Sequence, residues 1–172
     1  MLFRSAYNLA LADGVEPVHL ARYDQYMARA GGYNDPGFSV TIPNFGDEPP
    51  ETALKDTKPD LKLLGLLNVE YLVSAFAMDW PDLRLEKEIE GTYIYANEKA
   101  LPRSWVVHQT LPTDPDWLEQ LNTLPNLANV ATIQAGPQLS DSTHPPSTAM
   151  ITHYSADLIQ IETQISEPGW LI

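Results

Sequence analysis

Within residues 63–74 the chain changes its hydrophobic period. The stretch LLGLLNVEYLVS opens with leucines at helical spacing and closes with Val69, Tyr71 and Val73 in alternation. Apolar residues recur about every 3.6 positions on a helix face and every second position on a strand face, so a short helix runs directly into a strand here. A second stretch, 93–107, reads YIYANEKALPRSWVV: a strand, a tight turn at 97–102, and another strand at 104–108. Both stretches are framework, with no catalytic motif in either.

The rest of the chain keeps its elements short. Glu16-Pro17 opens a first helix, with Leu20, Tyr23 and Met27 on one face and Gly31-Gly32 as the stop. Residues 32–59 carry Pro36, Pro43, Pro49 and Pro50 and read as a long loop. Thr57 and Asp60 have the spacing of a capping box for a second helix that ends near Asn68. Leu83, Leu85 and Ile89 form a strand around Lys87. Thr113-Asp114-Pro115-Asp116 starts another helix, with Trp117, Leu121 and Leu124 on one face and Pro125 ending it. Residues 130–133 form a weak strand, and 136–147 a Pro/Ser/Thr loop. Residues 149–154 and 158–165 read as a hairpin around Ser155-Ala156-Asp157. Its second strand places Ile159, Ile161, Thr163 and Ile165 on one face. Helices cluster early and strands late. The expected fold is α+β, with short helices on a mostly antiparallel sheet and a β-rich C-terminal half, in one domain of 172 residues.

Charge removes several function classes. A formal charge of −13 argues against nucleic acid, which needs clustered Lys and Arg, and against an anionic lipid surface. With no cysteine, disulfides and thiolate zinc sites are excluded. Lys62, Asn68 and Glu70 interrupt the longest apolar region, so no transmembrane segment is expected. Residues 1–11 hold one Arg in a broken apolar run and make a poor secretory signal.

The polar residues read mainly as structural. His19, His108, His144 and His153 have no HxH or HxxxH spacing, so they read as surface or strand-end histidines and no metal is expected. Asp114 and Asp116 sit at a helix start, where carboxylates favour the dipole. Glu86 and Glu88 lie on one side of a charged strand. Ser104, Ser140 and Ser142 stand in no GxSxG context. No catalytic residue and no cofactor is expected. Arg103 stands out, following Pro102 at the entrance of an apolar strand, where a guanidinium can clamp a carboxylate or carbonyl. Trp80, Trp105, Trp117 and Trp170 have rings that can stack on sugars or fill a core. Arg103, Trp105 and Tyr95 are the candidate binding residues.

Four segments, in order, resemble the soluble C-terminal part of YfhO-type bacterial membrane proteins. Asp13-Gly14-Val15-Glu16-Pro17 with Leu20, Arg22 and Tyr23 is similar to that family's G-Y-D-P…L-x-R-Y segment, with Val15 where Tyr is usual. Residues 63–73 are similar to its L-L-G-V-x-Y segment, with one extra residue before Val69. Tyr95-Ala96-Asn97-Glu98-Lys99-Ala100-Leu101-Pro102-Arg103 is similar to its Y-E-N-x-x-A-L-P-R-A turn, the most specific of the four. Residues 151–172 resemble the paired strands before its terminal Y-P-G-W segment.

This resemblance implies a non-catalytic extracytoplasmic domain of a polytopic protein that transfers sugars to cell-envelope polymers or lipids. Its partners are then the transmembrane part of its own chain and possible glycans or lipid-linked sugars. The sugar-transfer carboxylates are expected near the membrane part, and none carries over to these residues. The apolar end at Glu167-Pro168-Gly169-Trp170-Leu171-Ile172 reads as cut, which leaves an edge open to weak self-association. The alternative is a free-standing carbohydrate-binding or protein-interaction module.

Overall fold

The computed structural model describes residues 10–12, 20–33, 47–140, 143 and 145–172. Readings that fall on 13–17, His19, 34–46, Ser142 and His144 lie outside the described residues. The chain has the expected α+β content, with four short helices and mostly antiparallel strands among the described residues. Length and composition read as one domain; the contacts gather into two compact units, Met1–Ala100 and Leu101–Ile172.

In the first unit, α1 spans Ala21–Gly31 and buries Tyr26, Met27, Ala28 and Ala30. Leu20, expected on that buried face, is instead its extended N-cap and 79% exposed. A side chain one residue ahead of the helix leaves before the buried stripe begins. Gly32 ends the helix at φ 71°, a left-handed conformation that glycine adopts without steric cost. The stretch 32–59, read as loop, contains a single helical turn, α2 (Pro50–Ala53), with proline in its first position. Helix α3 covers Leu61–Leu66, capped by Asp60, whose carboxylate accepts the Lys62 and Leu63 N–H groups at 3.0 Å each. The cap is therefore Asp60 and not Thr57. Pro59 pushes Lys58 away from helical angles, so no helix can start earlier.

Strands β1 (Tyr71–Ser74), β2 (Leu83–Ile89) and β3 (Thr92–Asn97) form an antiparallel sheet in the order β1-β3-β2. Asn97 closes it against the helices. Its amide donates to Leu61 O and Val69 O, both at 3.0 Å, and its Oδ1 accepts the Lys99 N–H. Tyr26, in turn, donates its hydroxyl to Leu63 O at 2.6 Å. Burial, with the Asp60 charge and Tyr23 adding to it, holds that hydroxyl far above the ordinary phenol range, so it stays a donor.

In the second unit, β4 (Val106–Val107) pairs antiparallel with β9 (Trp170–Leu171). Trp105 and Ile172 extend that ladder with reciprocal N–H to carbonyl bonds of 3.1 and 2.8 Å. The strands expected to flank the 97–102 turn do not pair with each other: β3 joins β1 and β2, and β4 joins β9. Next come β5 (Gln109–Pro112), α4 (Trp117–Thr123) and β6 (Val130–Ile133), with β5 and β6 parallel. The parallel pairing needs a crossover, and the Asp116-capped α4 supplies it. Strands β7 (Thr148–Tyr154) and β8 (Ile159–Gln164) form the expected hairpin, with a bulge between Ile151 and His153. The isoleucine face expected to meet a second layer is largely open: Ile159 is 53% exposed and Ile165 50%. No described helix is long and apolar enough to cross a membrane.

Gly65 is the position where backbone comes closest. A Cβ there would collide with the Lys99 carbonyl group and crowd the Ala100 Cα. Alanine would gain about 1 kcal/mol in helix propensity, against about 1–3 kcal/mol for the displaced backbone. The clash is with main chain, which cannot rotate away. The displaced backbone lies at the upper end of that range, so Gly65→Ala is expected to lower stability by up to about 2 kcal/mol, the difference between those two effects, read as a lower midpoint in urea. A midpoint that rises would show that the turn after β3 yields freely.

Candidate functional site

The proposed binding residues have different surroundings. Tyr95 is 2% exposed, and its hydroxyl accepts the Met78 N–H at 2.7 Å. Its ring lies 6.4 Å from that of Tyr93, nearly parallel to it. Tyr95 is thus a core residue of the first unit and offers no ring face to a ligand. Trp105 is half-buried, held by its backbone bonds to Ile172, and its indole N–H is buried without a protein acceptor. Arg103 is exposed. Its guanidinium carbon lies 4.7 Å over the Tyr154 ring, and one N–H reaches the Tyr154 hydroxyl at 3.3 Å. The clamp expected on a carboxylate or carbonyl is a cation–π contact with an aromatic ring.

Three of the four paired acids have structural partners. Asp114 accepts the Asp116 N–H at 2.8 Å, and Asp116 caps α4 through the Glu119 N–H. Glu86 pairs with Arg84 at 2.7 Å. These groups are exposed, where an ion pair contributes about 0–1 kcal/mol. Trp170 donates its indole N–H to Pro137 O at 3.1 Å and covers Gly136.

The polar residue that the sequence undervalues is His108. Read as a surface or strand-end residue, it is 2% exposed. Its Nδ1 lies 2.8 Å from Pro168 O. A carbonyl only accepts, so Nδ1 carries the proton, and in the neutral ring Nε2 is left as an acceptor. Nε2 is buried and has no protein partner. Gly169 makes the close approach possible, since a Cβ there would strike Val106 and crowd the His108 ring. The ring lines a hollow of about 230 Å³ together with Val106, Val107, Asn129, Pro145, Pro146 and Ser147. The sequence holds one hint of this, a histidine inside an apolar strand with no acidic residue at strand spacing. The loop residues that complete the hollow carry none.

Among the described residues, no group of three or more His, Asp or Glu side chains is arranged to hold a metal ion. No protein-family model, curated protein or solved structure matches this chain.

The Arg103 geometry sets the size of its effect. A buried acceptor left unpaired would cost about 1–3 kcal/mol, but the Tyr154 hydroxyl is exposed and water replaces the lost bond. An exposed cation–π contact contributes about 0.5–1 kcal/mol. Arg103→Ala is expected to destabilise by that smaller amount, with Arg103→Lys in between. A loss above 2 kcal/mol in urea unfolding would show a buried role for Arg103 that this contact does not provide.

Proposed function

We propose that this chain is a non-catalytic extracytoplasmic domain of a YfhO-like membrane protein, whose parent acts in sugar transfer to cell-envelope polymers or lipids. One observation carries the reading. The Leu101-Pro102-Arg103 segment runs into β4, and the Pro168-Gly169-Trp170 segment runs into β9. These two segments both carry the resemblance, lie far apart in sequence, and lead into strands that pair with each other. A parent that keeps both motifs keeps the pairing that joins them. The structural roles of Asp114, Asp116 and Glu86 support the non-catalytic part. In this reading the domain covers the membrane active site or helps hold the acceptor.

The second reading, a free-standing carbohydrate-binding or interaction module, draws on the hairpin β7–β8. Met150 is 60% exposed there, and Ile159 and Ile165 about half exposed. Such an apolar surface is common at contact sites. The gene separates the two readings, since upstream transmembrane helices belong only to the first.

With no cysteine in these 172 residues, one introduced thiol reports the location of this domain, and the same gene product without it is the control. Glu162 is exposed on β8. Glu162→Cys in the complete gene product is expected to react with a membrane-impermeant maleimide in intact spheroplasts. Reaction only after lysis would place the domain in the cytoplasm and overturn the assignment. The isolated chain is expected to give background turnover in glycoside-hydrolysis and sugar-transfer screens. A turnover abolished by replacing one Asp, Glu or His would make it an enzyme.

A further inference from the structure

The β7–β8 hairpin is amphipathic, and its apolar face carries a cation at one end. The register pairs Ile151 with Ile161 and Tyr154 with Ile159, so the bulge between Ile151 and His153 keeps all four on one face, which Ile165 continues. Gln160, Glu162 and Gln164 lie on the other face. A two-stranded ribbon is marginal in water and gains stability when an apolar face is covered. Here Tyr154, Ile159 and Ile165 remain half exposed or more. Apolar surface of this kind is common at contact sites.

Arg103 indicates what the contact brings. Its guanidinium carbon lies 4.7 Å over the Tyr154 ring, and one N–H bonds the Tyr154 hydroxyl. A guanidinium has five N–H donors in a planar fork, and stacking occupies its face rather than its edge. Among the described residues Arg103 pairs with no carboxylate, whereas Arg84 meets Glu86 and Glu98 and Lys99 meets Asp82. The donors left on that edge suit a carboxylate, which accepts two parallel N–H bonds from one guanidinium. Tyr154 already holds the side chain over the apolar face, so less freedom is lost when a partner arrives. A second copy does not supply the carboxylate. No residue that the register places on this face is Asp or Glu, and two chains of formal charge −13 repel each other. The same charge disfavours an anionic lipid surface.

We propose that this face docks a protein segment from outside these 172 residues, apolar along one side and carrying a single Asp or Glu that meets Arg103. The apolar side chains cover Ile159, Ile161 and Ile165. The carboxylate takes paired N–H bonds from the guanidinium where it lies over Tyr154. This docking rests on the interaction-module reading of the hairpin and supplies the chemistry of its partner.

The test selects a phage-displayed library of random short peptides on the immobilised 172-residue chain. Enriched peptides are expected to combine apolar residues with one Asp or Glu. In titrations with a synthesised winner, replacing that acid by its amide should weaken binding about tenfold, and Arg103→Gln should do the same. Both changes together should cost little more than either alone, as expected for groups that bond each other. The peptide change leaves the protein untouched, so it reads the carboxylate independently of any effect on folding. Ile159→Ser, at an exposed position, should also weaken binding. Peptides that lose affinity in Ile159→Ser but need no acid would overturn the proposal and leave the interaction reading standing. Binding indifferent to both variants, or no enrichment above an unrelated acidic protein, would overturn the two together. Co-sedimentation of the chain with phosphatidylglycerol vesicles, lost in Ile159→Ser, would make the face a membrane surface and overturn the proposal as well.

Discussion

The first unit depends on one buried amide. Asn97 is 5% exposed, and its side chain uses both oxygen and nitrogen. One donor goes to the first residue of α3, the other to the segment entering β1, and the acceptor orders the turn after β3. Leaving any of these buried groups without a partner costs about 1–3 kcal/mol, comparable to burying a whole leucine. The amide thereby sets the spacing between α3 and the sheet. That spacing lets the Lys99 carbonyl approach Gly65, and it accompanies the left-handed conformation of Asn68 at φ 56°. Leu61, Leu63 and Leu64 then pack against α1 because the backbone around them is already fixed.

The second unit has a thinner interior and another form of closure. Among its described residues, Ser104, Val107, His108, Thr110 and Leu127 are buried, and three of these are polar. Each polar residue ties strands to loops. Thr110 accepts the Leu139 N–H at 2.8 Å and donates to Gln138, Ser104 reaches Ala149 O, and His108 holds Pro168. Few apolar groups are removed from water here, so hydrogen bonds between distant segments fix the arrangement. The bonds are conditional on the strand pairs, and the strand pairs are short. Val106 and Val107 carry the ladder to β9 with only Trp105 and Ile172 extending it.

Sequence periodicity located most strands because each has at least one face that differs from the other. Leu83–Ile89, Val130–Ile133 and the hairpin all fall where alternation places them. It missed β5, where Gln109, Thr110 and Pro112 hide a parallel strand behind polar residues, and α2, a single turn started by Pro50. Partner choice was less visible than strand position. The 97–102 turn looks like a hairpin connection, but Asn97 turns the chain, its carbonyl accepting the Ala100 N–H and its Oδ1 the Lys99 N–H, and β4 then takes β9 as its partner. Among the candidate binding residues, exposure decided what sequence could not. Tyr95 and Arg103 sit eight residues apart, and one is a core ring while the other lies over an exposed tyrosine. His108 shows the same limit in reverse, since burial and the Pro168 bond depend on a segment sixty residues away.

Part of the negative charge in this molecule serves the fold. Five of its carboxylates are engaged with the fold: Asp60 and Asp116 cap helices, Asp82 and Glu86 meet Lys99 and Arg84, and Asp157 holds the Ser155 hydroxyl of the β7–β8 turn. None of these lines the His108 hollow. An acidic surface repels other anions at long range and is screened within about 8–10 Å at ordinary ionic strength, so it sets solubility more than selectivity. These five are placed against backbone N–H groups, cations and a hydroxyl. The five therefore hold helix starts, a strand and turns in place.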